Sequence, residues 1–309
     1  MSPIKTVAVL GATGNVGKAA IPALLSAGFT VTVIARPEST STYPQGIAVK
    51  NSAYDDLKTL TEVLKGQDAL VEAFNPAAAE HQSTIVQAAL AAGVSHLITP
   101  EFSTDSFSAH SAEIRIFEPK QKAQKELERL TSAPDCTLSW TGIILGAWFD
   151  WGIEEGFFWV NKKDRTITRF GSGNQKVSIS HVALVGDTIV TVLQNPENYR
   201  NRVAYFADYA VSTNELIDMI QKFSAPGEWN IVDLSVENFK KEGLALWDED
   251  TKQGVTNRLF SKAYTMLGTA GVFDEQNRYD GDYTAKLEPG YGKPIESLEE
   301  SLRKLLGYA

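Results

Sequence analysis

The chain has 309 residues, 43% of them hydrophobic and 22% charged, the balance of an ordinary folded protein with room for one large domain or two joined ones. Its net charge of −9, with no basic stripe, argues against nucleic acid as a partner. Cys136 is the only cysteine, which excludes an intrachain disulfide and a cysteine metal cluster.

His81, His96, His110 and His181 lie without ligand spacing, so no metal is expected. No apolar run reaches the roughly 18 residues of a membrane span, so no membrane partner and a cytoplasmic location are expected. The opening apolar run VAVL is interrupted by Gly11 and Gly14 and reads as a first strand, not as a leader.

Residues 5–10 are β-rich and almost continuously apolar, which suits a parallel strand covered on both faces. Residues 18–27 are rich in alanine and leucine and close on Gly28, a helix stop. Residues 29–34 form the next strand, completing a βαβ unit within the first 36 residues. Asp55 and Asp56 then cap a helix whose Leu57, Leu60 and Leu64 share a stripe. A strand is expected over 68–74, a helix over 78–92 and a strand over 95–99. This alternation predicts an α/β fold of Rossmann type, a doubly wound parallel sheet.

Between the first strand and the first helix stands GATGNVG, residues 11–17. Its GxxGxxG spacing gains meaning from that context. Gly11 permits the turn, Gly14 lets the backbone approach a pyrophosphate, and Gly17 allows close helix–sheet packing. The helix N-terminus adds free N–H groups and a favourable dipole. NADPH/NADP+ is the expected cofactor, because Arg36 ends the second strand where a carboxylate would hold an unphosphorylated ribose, and no acid stands at that place. Lys50 is weighed as added charge for the same pocket against an ordinary surface lysine. The cofactor set is Gly11, Thr13, Gly14, Asn15, Val16, Gly17, Arg36, Phe74, Asn75, Glu101, Phe102 and Lys120.

Typical short-chain dehydrogenases carry Tyr-x-x-x-Lys on a later helix. Here that spacing occurs only at Tyr54 and Lys58, ahead of the third helix, and is treated as chance. The better candidate is Lys120. If a helix starts at Pro119, Lys120, Ala123, Leu127 and Leu130 share one stripe while Lys122 and Lys125 turn outward. A lysine on a buried face can exchange a proton or hold a ribose; the alternative is a lysine that snorkels to solvent.

On GATGNVG, VTVIAR, AALAAGV, PEFSTD, FEPKQKAQKEL and TGIILGAWFDWG, in that order, the chain resembles the NmrA-like and isoflavone reductase-like family of atypical short-chain dehydrogenases over nearly its whole length. The resemblance implies NADPH on the glycine loop and arginine, with a helix lysine, here Lys120, near the nicotinamide. Plant members usually have Ser-Glu-Phe-Gly where this chain has Pro100-Glu101-Phe102-Ser103, and the segment 141–152 is similar to fungal NmrA-like proteins. Those relatives include both redox sensors and tailoring enzymes of secondary metabolism.

After Gly142, Trp148, Phe149, Trp151, Phe157, Phe158 and Trp159 concentrate aromatic surface suited to a flat apolar ligand. With Tyr264, the first five are the expected substrate wall; Trp247, Phe260 and Met266 are further candidates. Strands are expected over 166–170 and 176–179 around a Gly-Ser-Gly turn, a helix over 181–193 and an amphipathic closing helix over 295–306. His181 reads as a satisfied histidine at a helix start. The expected division is 1–152 for the cofactor domain and 153–309 for a smaller, mainly substrate-binding lobe with segments returning to the sheet.

The leading expectation is an NADPH-dependent reductase of a small aromatic or heteroaromatic molecule, accepting hydride at C=C, C=N or C=O, with redox-linked cyclisation as an extension. The alternative is an NADP(H)-binding redox sensor that reports to a protein partner without turnover. A homodimer is the assembly considered.

Overall fold

In the computed structural model, which describes residues 3–157, 159–259 and 261–308, the chain divides into two units. The first comprises Met1–Phe102, Glu118–Ile143 and Ala183–Ala204; the second comprises Ser103–Phe117, Ile144–Val182 and Tyr205–Ala309.

The first unit follows the alternation read from the sequence: β1 (Thr6–Leu10), α1 (Asn15–Ser26), β2 (Thr30–Ala35), β3 (Ala48–Asn51), α2 (Leu57–Leu64), β4 (Ala69–Glu72), α3 (Gln82–Ala92), β5 (His96–Ile98), α4 (Glu118–Thr131) and β6 (Ser139–Ile144). The sheet order is β6-β5-β4-β1-β2-β3, every neighbouring pair parallel, with Arg202–Tyr205 added beside β6 as the seventh strand. The order reverses between β1 and β4, which is where doubly wound sheets open a ligand crevice at their carboxyl ends. This is a Rossmann-type fold.

The strands are buried along nearly their whole length because helices cover both faces. Leu10, Ile34, Leu70 and Leu97 pack with Leu60, Leu64, Ile85 and Leu127 into one core. Two elements differ from expectation. The stretch before α3 is a 3-10 turn, Pro76–His81, started by Asn75, whose side chain accepts from the Ala77 N–H. The helix expected from His181 starts at Leu184, because His181 is bound to Asp208 instead. Leu184–Gln194 crosses α1 closely, and a Cβ on Gly186 would lie 2.6 Å from the Ala19 carbonyl oxygen.

The second unit contains two small sheets. Lys176–Ser180 lies between Ala147–Trp148, parallel to it, and Tyr209–Ser212, antiparallel. Thr166–Phe170 lies between Val160–Asn161, antiparallel, and Asn230–Leu234, parallel. The two strands flanking the Gly-Ser-Gly turn thus belong to different sheets. Phe149, Trp159, Phe170, Phe273 and the buried side of Glu296–Leu306 form this unit's main core. Among the described residues, no helix is long and apolar enough to cross a membrane.

Candidate functional site

The glycine loop joins β1 to α1 in the shape its residues require. Gly11 has φ +77°, and a Cβ there would lie 2.5 Å from the Ala73 carbonyl oxygen at the end of β4. A Cβ on Gly17 would lie 2.5 Å from the Ala12 backbone, so this glycine packs the helix onto its own entry loop. Gly14 differs: its Cβ would sit at 3.5 Å from the Gly11 oxygen and 3.6 Å from that of Ala73, ordinary contact distances. The space beside Gly14 is therefore a cradle that a side chain would fill.

Around it, Thr13 is exposed and Asn15 and Val16 are half-buried in the first turn of α1, which has no side-chain cap and no acidic residue. Uncapped N–H groups at such a terminus suit a pyrophosphate. These residues fit a dinucleotide.

Tyr54, dismissed from its spacing to Lys58, is part of this neighbourhood. Lys58 is exposed, but Tyr54 is buried, with the Gly11 N–H on its hydroxyl oxygen and its ring 5.6 Å from that of Phe74. Burial pushes its phenol up to about 12. Phe74 and Asn75 follow β4 directly.

Arg36 ends β2's run at the same edge, its side chain 66% exposed and its Nε 3.3 Å from Glu38. The expectation that no acid stands there is corrected: Glu38, two residues on, holds the guanidinium. An ion pair this exposed is worth about 1 kcal/mol or less, which a phosphate can displace. Lys50 donates to the Val63 carbonyl at 2.8 Å at the end of α2.

Beyond β5, Glu101 and Phe102 are buried, Phe102 with φ +45° and its N–H on the Ile143 carbonyl. Helix α4 starts one residue before the expected Pro119 and places Lys120 inward, 4% exposed, while Lys122 reaches solvent. Lys120 Nζ donates to the Glu101 carbonyl at 2.7 Å and lies 3.3 Å from its carboxylate. It is a buried, paired lysine, not a snorkelling one. A further acid, Glu72, ends β4 with no exposure; burial, with Glu101 near it, pushes its carboxyl up to about 8 despite a bond from Gln82. Nothing in an apolar strand pattern marked it.

The expected substrate residues lie in the second unit. Trp151 and Phe157 stack with centroids 5.2 Å apart, and Trp148 meets Trp151 edge-on at 6.1 Å. The Trp148 indole N–H is buried and meets no acceptor among the described residues. Phe149 goes into the core, its ring 4.5 Å from His181. Phe149 and Phe157 also line an apolar cleft with Ala147, Ile153, Trp159 and Val160, of about 10 Å³, room for one water. Tyr264 packs near Ile114, Ile116 and Leu267. Phe158 and Phe260 lie outside the described residues. His181 is satisfied, as expected: its Nδ1 and its N–H both reach Asp208, which Lys293 also holds at 2.7 Å. Among the described residues no cluster of three or more His, Cys, Asp or Glu is placed to hold a metal.

The sequence profile of the NmrA-like family matches residues 3–300. The chain belongs to the NmrA-like family. Among curated relatives, this family member is 29% identical over 236 residues to "Oxidoreductase poxI" of Penicillium oxalicum, covering 75% of this chain and 74% of that one. Among solved structures it is similar to leucoanthocyanidin reductase with NADPH from Vitis vinifera, at TM-score 0.73 and 16% identity, with 98% and 99% of the two chains covered. It also matches AtPrR2 with NADP+ and (+)pinoresinol, at TM-score 0.71 and 18% identity, covering 99% of each chain. At these identities the structural likeness concerns the fold.

Proposed function

We propose that this NmrA-like protein is an NADPH-dependent reductase of a small aromatic or heteroaromatic substrate. The observation that carries the reading is Lys120: an ammonium withdrawn from water and fixed on Glu101 at the carboxyl end of β5, in the same unit as the glycine cradle. Holding a charge there has a desolvation cost that a purely structural helix position does not require. The oxidoreductase name of the fungal relative and the NADPH and NADP+ of the structural neighbours support the cofactor assignment.

Gly14 and the first turn of α1 bind the pyrophosphate, and Arg36, released from Glu38, binds the 2′-phosphate. Tyr54 and Phe74 offer ring surface beside them. Lys120 orients the ribose and nicotinamide end and moves a proton. The bound cofactor supplies the hydride. Trp148, Trp151 and Phe157 are the rings assigned to the flat substrate, and the indole N–H of Trp148 is a donor for a polar group on it.

The test follows nicotinamide absorbance with NADPH and a panel of planar aromatic compounds. Oxidation that depends on one compound and is abolished in Lys120→Ala is the expected result. Tight cofactor binding with no turnover across the panel overturns the reductase in favour of a redox sensor.

A further inference from the structure

Glu72 is the last residue of β4 and is entirely withdrawn from solvent. One carboxyl oxygen accepts from Gln82 Nε2 at 3.1 Å; the other meets no donor among the described residues, nor does Gln82 Oε1. A single hydrogen bond does not offset the desolvation of a buried carboxylate. The nearby charges do not offset it either. Glu101, the like charge near it, is bound to Lys120, so an ionised Glu72 makes two buried carboxylates for one buried ammonium. Tyr54, packed ahead of α2, is a neutral phenol; His81, in the turn before α3, lies against Tyr54 and is 3.8 Å from Glu80; Arg36 is exposed and held by Glu38. Glu72 therefore rests as a neutral acid.

Its position gives that proton a use. Glu72 pairs with Leu10 and precedes Ala73, whose carbonyl abuts Gly11, so it stands at the carboxyl end of the β1–β4 pair, where the strand order reverses and the sheet opens its crevice. We infer that Glu72 is the proton store of this site: it stays protonated in the free protein and with NADPH, and gives up its proton when the cofactor is bound in its oxidised form. The reasoning rests on the cofactor assignment above. Glu72 neighbours Glu101, which holds Lys120, the residue assigned above to the nicotinamide end; the oxidised ring carries a positive charge that the reduced ring lacks, and a cation near a buried carboxyl lowers its pKa by about one unit or more. Glu72 thereby ties the redox state of the cofactor to a proton, and NADP+ affinity rises with pH where NADPH affinity does not.

Proton release on binding tests this. The protein, weakly buffered near neutral pH with an indicator dye, is titrated with NADP+ and separately with NADPH. Phosphate and surface groups contribute equally to both, so the difference isolates the ring charge. The expected difference is about half a proton or more, largest between about pH 7 and 8. It vanishes at strongly alkaline pH, where Glu72 is already ionised, and in Glu72→Gln, while His81→Asn retains it. An infrared difference spectrum between the two wild-type complexes, which needs no variant, should show a protonated carboxyl band lost with NADP+. Equal proton counts for the two forms, or a difference that persists in Glu72→Gln, overturns the inference while leaving the cofactor reading intact. Failure of both nucleotides to bind overturns the two together.

Discussion

Lys120 and Glu101 depend on each other, because each is a buried charge answered by the other. Lys120→Met should cost about 3–5 kcal/mol in urea denaturation, since it removes the ammonium that faces the buried Glu101 carboxylate. The double variant with Glu101→Gln should recover part of that loss, a non-additivity that an exposed pair would not show. The loop glycines separate in the same way. Gly11→Ala forces a side chain into a left-handed backbone against the Ala73 carbonyl, costing about 1–3 kcal/mol of stability. Gly14→Ala meets ordinary contacts and should cost the fold under about 1 kcal/mol, yet weaken NADPH about tenfold or more by occupying the cradle. Calorimetric melting beside a binding titration of the two variants checks the contrast.

At the scale of elements, the alternation of apolar strands and glycine-stopped helices was readable because parallel strands covered on both faces leave a period of their own. The closing helix was readable from its stripe, and the helix Thr213–Phe223 opens on a capping box at Ser212. Ser212 accepts from the Glu215 N–H while Glu215 reaches back to the Ser212 N–H. Ser212→Ala should therefore cost about 1 kcal/mol in chemical denaturation without touching nucleotide binding. The short strands of the second unit were harder. Val160–Asn161 and Ala147–Trp148 are two residues long, too short to show a period, and partners distant in sequence define them. Tyr54 and Glu72 escaped for another reason: their roles come from the Gly11 amide and from Glu101 and Gln82, which no local spacing reveals. Lys120 was legible because a helical stripe predicts which lysine faces inward.

Across the molecule, buried ionisable groups shape stability against pH. Glu72, raised by burial to about 8, binds its proton more tightly folded than unfolded, so its contribution is present below its ordinary value and is lost as pH rises through 8. His96 is lowered to about 4, chiefly by burial between Ser139 and Thr141; its contribution is present above its ordinary value and is lost as pH falls through 4. Burial alone would raise Asp208, but bonds from His181 and Lys293 hold it down to about 2, so its share is lost as pH falls further. The Glu72 and His96 slopes oppose each other over mildly acidic pH. The urea midpoint should accordingly be nearly flat from about pH 4.5 to 6.5, then fall by about 2 kcal/mol equivalent up to pH 8 and fall again in acid. Glu72→Gln should remove most of the alkaline decline.

The backbone passes from one unit to the other five times, at 102/103, 117/118, 143/144, 182/183 and 204/205. Glu101 and Lys120 belong to one unit, and the fifteen-residue span between them, Ser103–Phe117, belongs to the other. Heredity meets this arrangement as a constraint. A single recombination between two relatives anywhere in the middle of the gene gives each offspring a patchwork of both units, with mismatched walls and cores. A point change within one segment keeps every other segment matched, which a single-crossover exchange does not.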